Sequence, residues 1–124
     1  MQIPRIRQDQ AQRLKRQAAL GRALIRFRGP FVPGWLHLRY TECRKGGCKC
    51  TKGEPHGPFL YATVLLKGKK VYRYVGKPSD AALARRIKNY QEFREKLAEF
   101  RRLHREMEVD WKRLEHSLTK RPTK

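Results

Sequence analysis

The segment that decides the fold comprises residues 59–75 and has the sequence FLYATVLLKGKKVYRYV. β-branched and aromatic residues fill both of its halves, and these residue types favour strands. Its centre, Lys67-Gly68-Lys69, contains the glycine that a tight hairpin turn requires. We therefore expect two antiparallel strands, over residues 59–66 and 70–75.

Further elements are predicted on the N-terminal side of this hairpin. Residues 35–40, WLHLRY, predict another strand, which brings the sheet to three strands. Residues 5–28 predict a helix, and Gly29-Pro30 is expected to end it. The apolar stripe predicted for this helix consists of Leu14, Ala18, Gly21 and Ile25, with Leu20, Leu24 and Phe27 beside it.

A long helix is predicted from Ser79 onward, with Ser79 as its N-cap and Asp80 in its first turn. Apolar residues then recur every seven positions, which predicts a coiled-coil-like seam over about 38 residues, roughly 57 Å at 1.5 Å per residue. The partner of the seam is either residues 5–28 folded back or the same helix of a second copy. Since residues 5–28 are too short to cover the whole seam, a homodimer or a larger nucleoprotein complex is favoured. The seam consists of Leu83, Tyr90, Phe93, Leu97, Phe100, Met107, Trp111 and Leu114.

Three cysteines and a histidine follow the first predicted strand with the spacing C-x4-C-x-C-x5-H. Thiolates and imidazoles are ligands that zinc prefers, and four of them complete a tetrahedral site. Because such a site has no open position, we expect Zn²⁺ to be structural and to staple a small sheet. An iron–sulfur cluster, three free thiols, and His37 as the fourth ligand remain alternatives. The predicted ligands are Cys43, Cys48, Cys50 and His56.

The chain is thus predicted to be an α+β protein. A small three-stranded antiparallel sheet with a zinc knuckle is flanked by an N-terminal helix and a long C-terminal helix. From composition we divide the chain into four segments. These are a basic N-terminal helical arm (1–30), a zinc-knuckle β domain (31–78), a long amphipathic helix (79–119) and a basic tail (120–124).

The composition is strongly basic, with 31 Lys and Arg against 11 Asp and Glu and a formal net charge of +20. A compact chain with this charge repels itself unless a polyanion neutralises it. The excess extends along the whole chain, which a basic localisation tail does not explain. We therefore expect contacts with the phosphates of DNA or RNA. The predicted contact residues are Arg13, Arg16, Arg44, Lys45, Lys49, Lys52, Lys69, Lys70 and Arg73.

Tyr61, Tyr72 and Tyr74 lie beside several of these cations in the predicted strands. Aromatic rings next to cations can stack on the bases of RNA, so a ribonucleoprotein subunit is one interpretation of the pattern. Ordinary packing within the sheet is the alternative interpretation of the same tyrosines.

The middle of the chain resembles an uncharacterised domain-of-unknown-function family of small prokaryotic proteins. The motifs that carry the resemblance are Gly34-Trp35 to Arg39-Tyr40, the triplet Cys43, Cys48 and Cys50, and Gly53-x-x-His56-Gly57-Pro58. The resemblance covers roughly residues 34–100 and leaves the N-terminal arm outside. It implies a zinc-ribbon-like knuckle and no known activity. It also implies a mobile-element or phage setting, in which a DNA-binding accessory factor is the expected role.

Other classes of function have little support in the sequence. Glu42 and Glu54 are the only acidic residues in 31–78, so the carboxylate cluster of a metal-dependent nuclease is absent. P-loop, G-x-G-x-x-G and G-x-S-x-G motifs are absent too, and we expect no enzymatic activity. No apolar stretch approaches the roughly 20 residues that span a bilayer, and a cytoplasmic location is expected. A protein–protein adaptor that uses the seam is the remaining alternative.

Overall fold

The structure, a computed structural model, describes residues 3–41 and 55–120. Its elements confirm the predicted α+β class, with a three-stranded antiparallel sheet, an N-terminal helix and a long C-terminal helix. The predicted ligands Cys43, Cys48 and Cys50 lie outside the described residues. The elements are α1 (Ile3–Arg26), β1 (Gly34–Thr41), β2 (His56–Leu66), β3 (Lys69–Tyr74) and α2 (Ala81–Leu118).

The hairpin between β2 and β3 has the tight turn that its sequence predicts. Leu66 pairs with Lys69, so Lys67 and Gly68 are the two turn residues. Both have positive φ angles, 51° and 78°, as a two-residue turn matched to the twist of the strands requires. β2 is the central strand and pairs antiparallel with β1 and β3.

One of two compact units comprises Arg28–Glu92, and its core lies between one face of the sheet and the start of α2. Leu83 and Ala84 of α2 pack against this core from the helix side. The sheet therefore buries one face, as expected when an antiparallel sheet packs on a helix. The buried core residues are Ala62, Val64, Val75 and Ile87, each at most 5% exposed.

Helix α2 also covers the outer edge of β1. The backbone N–H of Leu36 donates a hydrogen bond of 3.1 Å to Oε1 of Gln91. Just before the strand, the N–H of Val32 donates to the carbonyl oxygen of Arg86 at 3.4 Å. These bonds satisfy donors at an edge strand that could otherwise pair with another chain.

The start of α2 differs from the sequence-based expectation. Ser79 is not the N-cap of the helix, because it lies within a 3-10 turn, Pro78–Asp80, and α2 begins at Ala81. Pro78 suits this turn, since its φ is fixed and it has no N–H to leave unpaired. The carboxylate of Asp80 forms an ion pair with Arg73, whose Nη2 lies 3.5 Å from Oδ1.

The second compact unit consists of α1 and the part of α2 from Phe93 onward. The two helices run antiparallel, because Gln10 contacts Met107 whereas Phe27 contacts Phe93. The rings of Phe27 and Phe93 meet edge to face with their centroids 5.5 Å apart. Within this unit the folded-back α1 is therefore the partner of the seam. The four segments drawn from composition remain a prediction.

The buried stripe of α1 is not the one that was predicted. Gln10 and Leu20 are each 2% exposed, whereas Leu14 and Ile25 of the predicted stripe are 46% and 77% exposed. A prediction that considers only apolar residues misses Gln10, because its side chain is polar. The side chain of Gln10 is satisfied inside the helix pair, where its Nε2 donates to the carbonyl oxygen of Met107 at 3.0 Å.

The predicted seam of α2 is divided between the two units. Leu83 belongs to the core of the sheet unit, whereas Met107 is buried in the helical unit. Trp111 is 41% exposed, so its place in the seam stays a prediction. Leu103 and Asp110, 7% and 6% exposed, occupy the buried positions around Met107 instead. The other seam residues, Tyr90, Phe93, Leu97, Phe100 and Leu114, are half-buried.

A layer of polar side chains lies between α1 and α2. Nη1 of Arg13 donates to Oδ2 of Asp110, and Nε of Arg13 lies 3.4 Å from Oε2 of Glu106. The side chain of Asp110 is 8% exposed, and its hydrogen bond raises the pKa of Arg13 above the ordinary value. Burying the charge of Arg13 or of Asp110 without the other would be costly. The layer therefore favours the alignment of α1 on α2 in which these two side chains meet.

Replacement of Arg13 by Met should lower the free energy of unfolding by about 3 kcal/mol, because Asp110 then keeps a buried charge without its main partner. The double variant Arg13→Met/Asp110→Leu should recover most of this loss. Urea unfolding followed by circular dichroism measures both effects. The matched control is Arg16→Met, which breaks a more exposed pair with Glu99 and should cost less than about 1 kcal/mol. Equal losses for the two single variants would contradict the buried-layer interpretation.

Replacement of Gly34 by Ala should destabilise the sheet unit by at least about 2 kcal/mol. Gly34 has a φ of 156°, and a Cβ at this position would overlap with the carbonyl oxygen of Thr63 on the paired strand. Gly21→Ala is the matched control, since its Cβ would meet Phe100 Cε2 at an ordinary 3.6 Å. Alanine is also the better helix former, so this control should stabilise α1 by about 0.5–1 kcal/mol. Thermal unfolding distinguishes the two outcomes, and a neutral Gly34→Ala would show that the β1–β2 approach is looser than described.

Candidate nucleic-acid interface

The two faces of the sheet differ because side chains alternate along each strand. Leu36 and its register partner Ala62 belong to the core face. Trp35 pairs with Thr63, and Thr63 pairs with Tyr72, so these residues share the opposite face. We name it the open sheet face. Its aromatic and basic members are Trp35, His37, Arg39, Phe59, Tyr61, Lys70, Tyr72 and Tyr74.

Tyr61 lies at the centre of an aromatic cluster on the open sheet face. Its ring stacks on that of Tyr72, with centroids 5.3 Å apart and planes inclined by 23°, and it meets Tyr74 edge to face at 5.4 Å. The ring of His37 is 5.1 Å from that of Tyr72, and its Nε2 lies 3.4 Å from the hydroxyl of Thr63. Cross-strand ring pairs of this kind stabilise a sheet and fix the orientation of their side chains.

Two cations lie directly over these rings. The guanidinium carbon of Arg39 is 5.4 Å from the ring centroid of Tyr72 and 5.9 Å from that of Tyr61. Nη1 of Arg39 also donates a hydrogen bond of 2.8 Å to the hydroxyl of Tyr72. Nζ of Lys70 is 5.4 Å from the ring of Trp35. All three cation–ring distances are within the range of cation–π attraction, so positive charge is held at the ring surfaces.

The aromatic rings of the open sheet face remain accessible. Tyr72 is 48% exposed, and Trp35 and Tyr74 are each 39% exposed. Aromatic rings that pack inside a core are largely buried, and these three are not. The cluster thus presents partly free aromatic surface next to positive charge.

The structure separates three cations that are neighbours in the sequence of β3. Lys70 lies on the open sheet face beside Trp35. Arg73 lies on the core face and forms the ion pair with Asp80. Lys69 is exposed at the turn end of the strand, where it pairs with Leu66.

The predicted contact residues of α1 belong to the helical unit and are engaged in ion pairs there. Arg13 is held by Asp110 within the polar layer. Arg16 donates two hydrogen bonds to Glu99, of 2.8 and 2.9 Å, and this pairing lowers the pKa of the Glu99 carboxyl. Their charges are therefore less available to a polyanion than those of unpaired cations. The remaining predicted contacts, Arg44, Lys45, Lys49 and Lys52, lie outside the described residues.

Trp35, Arg39 and Phe59 are members of the open sheet face that sequence reasoning did not select. The alternation of Trp35, His37 and Arg39 along β1 was a usable signal, since residues two apart share a face. What the sequence could not supply was the register that brings Arg39 next to Tyr61 and Tyr72 of other strands.

The predicted metal ligand His56 is the first residue of β2 and pairs with Thr41, the last residue of β1. The strand pair thereby brings together the two ends of the segment that contains the cysteines. Three thiols and one imidazole are a donor set that suits zinc. Within residues 3–41 and 55–120 there is no cluster of three metal-ligating side chains, and the three cysteines fall outside these ranges.

His37, the alternative fourth ligand, lies within the aromatic cluster and not at the sheet end where the cysteine segment begins. Its ring is 6.4 Å from that of Tyr61 and 5.1 Å from that of Tyr72. His37 is four positions before Thr41 along the strand, about 13 Å at 3.3 Å per residue. This position favours His56 as the ligand.

Fold and site together define a small, strongly basic α+β protein with an aromatic face on a three-stranded sheet. The chain belongs to the family described as Domain of unknown function (DUF6788), whose family model matches residues 3–86. The match includes α1, which was expected to lie outside the family resemblance, and it ends before residues 87–100, which were expected inside. Comparison with curated proteins and comparison with solved structures found no match.

Among the residues that the structure describes, none of the helices has the length and apolar character needed to cross a bilayer.

Replacement of Cys48 by Ser should reduce bound zinc to near zero, because three ligands hold Zn²⁺ far more weakly than four. Zinc is measured by elemental analysis of the purified chain. His56→Ala should have the same effect, whereas the matched control His37→Ala should retain zinc. Wild-type protein without zinc would contradict the prediction, and iron in its place would favour the iron–sulfur alternative.

Proposed function

We propose that this protein is a non-enzymatic nucleic-acid-binding protein that is held on its partner mainly by phosphate contacts. The observation that carries the proposal is the charge. The sequence has a formal net charge of +20, so 20 cations would remain uncompensated even if every carboxylate neutralised one. A polyanion relieves this repulsion and gains free energy through the counterions that its phosphates release.

The charge excess is not confined to one part of the molecule. The unit Arg28–Glu92 has 14 Lys and Arg against 4 Asp and Glu, a difference of +10, which leaves the other +10 to the helical unit. Among the described residues, most ion pairs belong to the helical unit, such as Arg16 with Glu99 and Arg13 with Asp110. In the sheet unit, Lys67, Lys69 and Lys70 are exposed around the hairpin turn and are candidates for phosphate contacts.

Zinc is proposed as a structural part of this protein. Cys43, Cys48, Cys50 and His56 would hold it, and the ion would cross-link the segment between β1 and β2. The chain's own contribution is the Thr41–His56 backbone pairing, which puts residue 56 at the end of the sheet. The cations of the same segment, Arg44, Lys45, Lys49 and Lys52, are proposed to contact phosphates as well.

The nucleic acid that this protein binds could be DNA or RNA, and different observations support each. A DNA-binding accessory factor of a mobile element or phage follows from the family resemblance alone. An RNA-binding subunit of a ribonucleoprotein complex is favoured by the open sheet face, since exposed rings beside cations suit unpaired bases better than duplex grooves.

A protein–protein adaptor is the second candidate function. It is supported by Trp111 and Leu118 of α2, which are 41% and 55% exposed although large apolar side chains are usually covered. A second copy of the chain or another protein could bury this area. The net charge would then serve solubility only.

Replacement of Lys67, Lys69 and Lys70 by Gln should weaken nucleic-acid binding and flatten its salt dependence. Removal of one phosphate-binding cation should reduce the slope of log affinity against log salt by roughly 0.7 for single strands and 0.9 for duplex DNA. The matched control is Arg16→Gln/Arg102→Gln/Arg113→Gln, which removes the same charge from arginines that already pair with carboxylates. Fluorescence anisotropy over a series of salt concentrations measures the slope.

The control triple variant should leave the slope nearly unchanged. If both triple variants flatten the salt dependence equally, binding is determined by the overall charge and not by the lysines at the hairpin turn. The absence of salt-dependent binding to DNA and to RNA by the wild-type chain would refute the proposed function.

A further inference from the structure

On the open sheet face, a large part of the aromatic surface is not covered by other side chains of the chain. Trp35, Tyr72 and Tyr74 are 39–48% exposed, although burying them would be favourable by about 25 cal/mol per Å² of apolar area. An exposed patch of large rings marks an interaction site more often than it marks ordinary surface. The chemistry at the edges of the patch then indicates which partner fits.

Positive charge accompanies the rings at two places. Lys70 lies over Trp35, and Arg39 lies over Tyr61 and Tyr72. A ligand that matches this face must therefore combine flat apolar surfaces with negative charge at short intervals. A nucleotide strand has this combination, with a base and a phosphate in every unit.

We infer that the open sheet face is a binding site for unpaired nucleotides, whose bases stack on Trp35 and Tyr72 while Lys70 and Arg39 contact the adjoining phosphates. This inference rests on the proposed nucleic-acid-binding function and names the substrate class of the sheet unit. Its ligand is single-stranded, because the faces of bases in a duplex are covered by neighbouring base pairs.

The strand register supplies two positions for such stacking. Trp35, Thr63 and Tyr72 form one row across the three strands, and His37, Tyr61 and Tyr74 form the next. Rows on the same face are two residues apart, roughly 6.6 Å. Thr63, the central residue of the first row, is 8% exposed, whereas Trp35 and Tyr72 on either side of it are 39% and 48% exposed.

Arg39 contacts rings of both rows, Tyr72 in the first and Tyr61 in the second. Its guanidinium bonds to the hydroxyl of Tyr72 at 2.8 Å and lies 5.9 Å from the ring centroid of Tyr61. The contact holds Tyr72 in place from the strand on the far side of β2 and leaves part of its ring exposed. Guanidinium planes also stack on bases, so Arg39 can extend the platform.

A second copy of the chain is a poorer occupant of this face. Two copies meeting face to face would bring Arg39 and Lys70 of one against the same residues of the other, and like charges in contact are repulsive. The charge of the face thus favours an anionic strand.

The test measures binding of the 124-residue chain to fluorescent oligonucleotides of about 12 nucleotides. The probes are oligo(U) RNA, oligo(dT) DNA and a duplex DNA of the same length. The variant Trp35→Ala/Tyr72→Ala should lose about tenfold or more in affinity for a single strand and less than threefold for the duplex, because it removes two stacking surfaces and no positive charge. The matched control Trp111→Ser removes a similarly exposed ring (41%) from the helical unit and should stay within about threefold of wild type on every probe.

The outcomes separate this inference from the proposed function. A loss on RNA or on DNA that spares the duplex supports the site, and the single strand with the larger loss identifies the sugar that it prefers. Equal losses on single strand and duplex, or no loss at all, would overturn the site while salt-dependent binding of the wild type still upheld the proposed function. A change of the alanine variant from dimer to monomer in sedimentation would also overturn it, because the face would then be an interface between copies.

Photo-crosslinking of the wild-type chain keeps the inference testable if the alanine variant does not fold. An oligo(U) probe with 5-iodouracil is irradiated on the protein, and the modified peptides are identified by mass spectrometry. Adducts on Trp35, Tyr72 or Tyr74 support the site. Adducts confined to α1 and to α2 beyond Phe93 would overturn it.

Discussion

Strand β2 pairs with β1 on one side and with β3 on the other, and the register of these pairings determines both faces of the sheet. Ala62 and Val64 enter the core, so Tyr61 and Thr63 must point the other way. A shift of one residue would exchange the two sets and bury the tyrosines in place of the core. The strand register therefore determines the core and the candidate site together, and a change of register would alter both.

Helix α2 illustrates why a heptad pattern does not identify its own partner. The repeat that contains Leu83 packs against the sheet, whereas the repeat that contains Met107 belongs to the pair with α1. Both partners bury a stripe along α2, so a regular apolar spacing is compatible with either. The polar residues Gln10 and Asp110 were absent from the predicted stripes because a buried polar group becomes interpretable only once its partner is known.

Local signals predicted the elements well. The hairpin turn at Lys67 and Gly68 was predicted from its glycine, and the three strands lie within a few residues of their expected bounds. The candidate site was predicted only in part, through the tyrosines and Lys70. Strand β3 has cations on both faces and Val71 as its one aliphatic residue, so alternation alone did not show that Lys70 and Arg73 point to opposite sides. Arg39 was missed because its partners are on other strands.

Charge and rings contribute differently to the proposed binding. Phosphate contacts provide affinity that depends on salt and is shared by every nucleic acid, whereas stacking distinguishes free bases from paired ones. Stacking requires a surface that stays in place, yet the core behind this one consists of Ala62, Val64, Val75 and Ile87 and is small. A metal cross-link next to the Thr41–His56 pair would stabilise the sheet at its end, where an extra link limits fraying. On this argument, zinc would contribute to selectivity without touching the nucleic acid, by keeping the rings of the open sheet face in register.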